Sequence, residues 1–129
     1  MSKAEQDFLA PLAKARGLGS AHHGVQHWMH QRITALALIP LTIWLVYSVV
    51  SLSGVSHGEF ITWMRQPVNA LLMVFFIIAG FYHAALGMQV IIEDYVHCKC
   101  AKLASLIGLN LFFLGGAIAC LYAILKIAL

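Results

Sequence analysis

The chain is 129 residues long, 61% hydrophobic and 10% charged, with a formal charge of +3 and a mean hydropathy of +0.85. That leaves too little polar surface to coat a water-soluble globule of this size, so the solvent for most of the chain is expected to be lipid. The positive charge does not read as a nucleic-acid footprint, because no Lys/Arg-rich tract with interleaved aromatics is present.

Residues 1–31 read as an inner-face arm, mixed polar with Pro11, Gly17 and Gly19, in which Phe8, Leu9 and Leu12 suit a membrane interface. No apolar stretch long enough for a signal-peptide core precedes Ile33, so no cleaved signal is expected. The approach His22 to Arg32, HHGVQHWMHQR, places Trp28 at headgroup level. A three-helix membrane domain follows over 32–129, with spans at about 32–54, 67–95 and 102–127, each long enough to cross the roughly 30 Å hydrocarbon core. Pro40 predicts a kink in the first span, and Pro67 suits the first turn of the second, where its missing N–H costs little. Residues Ser51 to Gln66, with Gly58, Glu59 and Trp63, form the outer connection.

Lys3, Lys14, Arg16, Arg32, Lys99 and Lys102 fall on one side of these spans, and only Arg65 and Lys126 on the other. That asymmetry puts the N-terminus inside. Cys98 and Cys100 lie on the same reducing face, which argues against a structural disulfide, and C-x-C without matching ligands is a weak metal signal. The third span carries Gly108, Gly115 and Gly116 with Ser105 and Asn110, small patches where another helix can pack closely. The expected fold is therefore all-α and integral to the membrane, with three transmembrane helices, N-terminus inside, as part of a heteromeric helix bundle.

The only imidazole, carboxylate or amine well inside a span is His83, in G80-F-Y-H83-A-A-L-G87-M-Q-V-I-I-E-D94-Y95. Counting back from Glu93 at about 1.5 Å per residue puts it roughly 15 Å below the inner face. A polar group at that depth is costly and usually functional. Gly80 and Gly87 flank it on one face, leaving room for a flat macrocycle or a neighbouring helix. Two readings fit: a structural histidine bonded to another helix, or a haem ligand whose second ring nitrogen donates to a nearby oxygen. No other span holds a histidine, so a bis-histidine haem would take its second ligand from a partner.

Asp94 and Tyr95 lie about three turns below His83 at the membrane surface. A phenol there can donate to a quinone carbonyl beside a carboxylate; equally, it is an ordinary interfacial tyrosine at a solvated helix end. His22, His23, His27 and His30 cluster on the inner face without a carboxylate or cysteine at metal-ligand spacing. With Arg32, one or two of them, His27 or His30, suit haem propionates withdrawn from water.

At these residues the chain resembles the small hydrophobic membrane anchor of succinate dehydrogenase, respiratory complex II. Q31-R32-I-T34-A35 is similar to that family's R-x-T-A opening of the first span, and the stretch from His83 to Tyr95 to its H-x-x-x-G motif with a D-Y pair twelve residues on. The resemblance implies that His83 is an axial ligand of haem b, with the other from a cytochrome b subunit, and that Asp94 and Tyr95 border a ubiquinone site. It further implies iron–sulfur and flavoprotein partners on the inner face. The expected location is a bacterial inner membrane, with the mitochondrial inner membrane as the alternative. No flavin-binding or cluster-binding motif is present, so the chain is expected to anchor an enzyme complex without performing succinate chemistry. A fumarate reductase anchor and a non-redox membrane scaffold or transporter component are the alternatives.

Overall fold

The computed structural model describes residues 20–129, with side chains from residue 25 onward. The expected interfacial contacts of Phe8, Leu9 and Leu12 and the side chains of His22 and His23 lie outside the described residues. Four helices follow in order: α1 (Ser20–Ser51), α2 (His57–Met64), α3 (Pro67–Tyr95) and α4 (Lys99–Ala128). Three of them, over Val25–Ser51, Pro67–Tyr95 and Lys99–Ala128, are long and apolar enough to cross a membrane. The chain divides into an N-terminal unit ending at His30 and a unit Gln31–Leu129; the packing that follows is that of the second.

Two boundaries differ from expectation. α1 begins at Ser20 rather than near Arg32, since no proline interrupts residues 20–39 and a polar composition alone does not end a helix. The outer connection is not irregular throughout, for it holds α2. Ser56 caps that helix by accepting from the Glu59 amide, while the Glu59 carboxylate accepts from the Ser56 N–H at 2.7 Å. This capping box, S-x-x-E ahead of an apolar run, is legible in the sequence. α1 itself runs through Pro40 and ends in a turn that closes at Gly54, whose φ of +87° suits glycine.

α3 and α4 form an antiparallel hairpin joined by residues 96–98, and a cation bonds the last turn of each helix, Lys102 from the start of α4 and Arg65 from the end of α2. At one end the Lys102 ammonium donates to the Glu93 carbonyl at 2.6 Å; at the other the Arg65 guanidinium donates to the Ile127 carbonyl at 3.3 Å. Both groups satisfy carbonyls that a helix C-terminus leaves without an internal partner. Between them Phe81 meets Phe113 edge-on, ring centroids 6.2 Å apart. A Cβ built on Gly116 would stand 2.6 Å from the Phe81 ring, so the helices approach this closely only because residue 116 lacks a side chain.

α1 meets the hairpin through longer side chains. Gln31, Thr34, Ala35, Leu38, Leu41, Trp44, Leu45 and Ser48 are its less exposed positions, an i, i+3, i+4 stripe on one face. Leu36, Ile43, Tyr47 and Val50 on the other side are each about two-thirds exposed or more. Where α1 nears α2, Trp44 stacks near Trp63, centroids 6.0 Å apart, and Asn69 is buried with its amide bonded to the Trp63 carbonyl and Gln66.

Gly116→Ala is expected to destabilise the hairpin by about 1–3 kcal/mol, because the new methyl overpacks against a ring already held by Phe113. Gly80→Ala, whose Cβ would meet only Leu38 Cδ2 at 4.0 Å, is expected to be near neutral; thermal unfolding in detergent compares the two. At α2, donation from the Ser56 backbone and hydroxyl holds the Glu59 carboxyl below its ordinary range. A lowered folded-state value means a cap fully present above the ordinary carboxylate value and lost as the pH falls through the folded one. Amide protection in residues 57–64 should decline over that acid window, and a Glu59→Gln variant should show no such decline.

Candidate functional site around His83

His83 is half-buried near the middle of α3. Lipid offers its ring nitrogens no partner, so they are met by α1. Nδ1 lies 2.9 Å from Thr34 Oγ1, and the Thr34 hydroxyl also donates to the Gln31 carbonyl one turn earlier at 3.1 Å. Nε2 lies 3.5 Å from the Gln31 amide nitrogen, a long contact. The amide's other atom, Oε1, is buried without a hydrogen-bond partner.

The two glycines on the His83 face are where α1 comes in. A Cβ on Gly87 would sit 3.5 Å from the Gln31 amide nitrogen, and one on Gly80 4.0 Å from Leu38. Space beside the histidine is thus occupied by a neighbouring helix, one of the two occupants that the glycine flanks allow.

The other sequence-derived residues are not gathered around His83. Asp94 and Tyr95 are exposed in the last turn of α3, Tyr95 to 79%. They lie roughly 16–18 Å further along the helix at about 1.5 Å per residue. The Tyr95 carbonyl accepts from His97 Nδ1 at 3.0 Å; this bond and the Lys102 contact tie down the backbone on which Asp94 and Tyr95 stand. Arg32 is exposed on α1 beside Gln31. His27 and His30 belong to the N-terminal unit; His30 is exposed, and His27 is half-buried with Nε2 buried and unbonded. Among the described residues no group of three or more His, Cys, Asp or Glu side chains is placed to hold a metal ion.

Gln31 and Thr34 are the neighbours of His83 that sequence reasoning did not connect with it. Both stand in the stretch Q31-R32-I-T34-A35, but their relation to His83 spans 49 and 52 residues and no periodicity reports it. A separate groove of about 490 Å³ runs between α3 and α4, lined by Phe81, Tyr82, Ala85, Asn110 and Phe113 among others. His83 is not part of its lining.

Residues 8–124 match the family described as succinate dehydrogenase/fumarate reductase transmembrane subunit. The succinate dehydrogenase hydrophobic membrane anchor subunit of Rickettsia bellii is 37% identical over 119 residues, covering 92% of this chain and 94% of that one. Its counterpart in Paracoccus denitrificans is 31% identical over 122 residues, covering 95% and 94%. The succinate dehydrogenase membrane anchor subunit of Reclinomonas americana is 28% identical over 86 residues, covering 64% and 72%. No solved structure gives a significant match.

Proposed function

Since the chain belongs to the succinate dehydrogenase/fumarate reductase transmembrane subunit family, as a hydrophobic membrane anchor subunit, we propose that it holds one side of a haem b and part of a ubiquinone site for that complex. The observation that carries this is the unequal bonding of the His83 imidazole. One nitrogen has a short bond to a hydroxyl and the other only a long contact to an amide. A metal-ligating histidine needs that division, one nitrogen fixed by the protein and the other left with a usable lone pair. The donor set therefore fits a b-type haem.

His83 would hold the iron from this chain, and a cytochrome b partner would supply the opposite ligand, because neither residues 31–51 of α1 nor α4 contains a histidine. When bound, haem b supplies a one-electron redox centre inside the membrane. Arg32, with His27 and His30, would bind propionates by charge-assisted hydrogen bonds. At the inner end of α3, Tyr95 donates its phenol proton to a quinone carbonyl while the Asp94 carboxylate orients a partner's cation or accepts a proton. Iron–sulfur and flavoprotein partners deliver electrons from succinate at that face. The family name covers fumarate reductases also; the direction of electron flow is set by those partners, and the exposed D-Y pair at the α3 terminus favours quinone reduction.

The inner-face placement of α3's end comes from the lysine and arginine asymmetry, with the N-terminus on the same side, in a bacterial inner membrane. Cys98 and Cys100 are both exposed. A membrane-impermeant maleimide should therefore label them in inside-out vesicles and not in right-side-out ones; the reverse pattern inverts the topology.

In the purified complex the expected spectrum is that of a low-spin b-type haem. His83→Ala should abolish or strongly perturb it, while Tyr95→Phe should leave it intact and lower the rate of quinone reduction about 10-fold or more, in the range for a lost positioning or proton-donating group. An unchanged spectrum in His83→Ala removes the ligand assignment.

A further inference from the structure

We propose that Thr34 is a positioning residue for the haem iron: by accepting the Nδ1 proton of His83 it fixes the tautomer in which Nε2 is the ligand, strengthens that nitrogen as a donor and lowers the haem's reduction potential. The proposal rests on His83 being a haem ligand.

It follows from counting protons along the chain of bonds. A threonine hydroxyl has one proton to give and lone pairs to receive with. Thr34 directs its proton to the Gln31 carbonyl at 3.1 Å, and a carbonyl can only accept. The 2.9 Å bond to His83 Nδ1 is then one in which the imidazole donates and the hydroxyl accepts. At 3.5 Å the Gln31 amide makes only a long contact with Nε2, which leaves that nitrogen's lone pair available once the proton sits on Nδ1.

Iron at Nε2 would take up that lone pair and would leave Nδ1–H directed at Thr34. Donation from Nδ1–H to an oxygen gives the ring part of the character of an imidazolate. That raises the basicity of Nε2 and favours the ferric over the ferrous state. The hydroxyl is suited to last in this role, because α1's own backbone fixes it at residue 31.

Redox titration of the whole complex carrying Thr34→Val or Thr34→Ser tests this. Valine keeps the shape and removes the acceptor, so the haem should be retained with a potential shifted upward, whereas serine should keep the wild-type potential. Loss of haem from the valine variant with a normal serine variant also supports a requirement for the hydroxyl. A valine variant with an unshifted or lowered potential overturns the proposal, as does a serine variant that behaves like valine or loses its haem. If the unmodified complex has no low-spin haem, or if His83→Ala retains it, the ligand assignment itself fails and takes this proposal with it. Those spectra differ from every result above.

Discussion

A polar ring in the middle of an apolar span must find its hydrogen bonds inside the protein, and that requirement at His83 sets how α1 meets α3. In water the imidazole could be left to solvent; in hydrocarbon each unmet polar group costs several kcal/mol. Thr34 and Gln31 meet this demand from α1, and they can do so only if α1 lies close to the face that carries Gly80 and Gly87. The helix register then follows. Leu38, Leu41, Leu45 and Ser48 continue the same stripe toward α2, where Trp44 reaches Trp63. The polar contact and the aromatic contact lie at different heights along α1 and together fix both its rotation and its height.

The α3/α4 hairpin is held by a different logic. Its faces are apolar, and lipid gives no hydrophobic gain for bringing such faces together, so close packing and terminal hydrogen bonds must hold them. Gly116 allows the Phe81 ring to lie against α4, and Lys102 and Arg65 close the two ends. The hairpin is a rigid support for His83 and for the D-Y pair, which stand on one helix about three turns apart. Under the proposed function it would link the haem ligand to the quinone site by a fixed length of α3.

Much of this was legible in the sequence, for reasons that differ residue by residue. The spans were legible because lipid admits so few backbone solutions that length and apolarity suffice, as α3 at Pro67–Tyr95 shows. His83 was legible because its cost in mid-span is a local property. Its partners were not: Thr34 and Gln31 stand in the stretch Q31-R32-I-T34-A35, but nothing local ties them to His83 until the register between α1 and α3 is known. α2 stood in the sequence as S56-H-G-E59, and reading residues 51–66 as a connection passed over a capping signal. The early start of α1 had no signal of its own, since the stretch HHGVQHWMHQ is compatible with either helix or coil.

What the chain buries bears on why it would share its site. Among the described residues only Met64, Leu86 and Ile124 are buried large apolar side chains. A three-helix unit so thin cannot enclose a macrocycle, because each helix shows most of its circumference to its surroundings. A single histidine with one fixed nitrogen would be half of an axial pair under the proposed function, and the exposed stripe through Leu36, Ile43, Tyr47 and Val50 is apolar surface that either lipid or another helix can cover. Dividing the site between subunits would resolve both features at once. Haem would join the subunits through its iron, and neither partner would need a pocket deep enough to hold it alone. On that account the thinness of this bundle and the single intramembrane histidine are one constraint, met by the assembly and not by the chain.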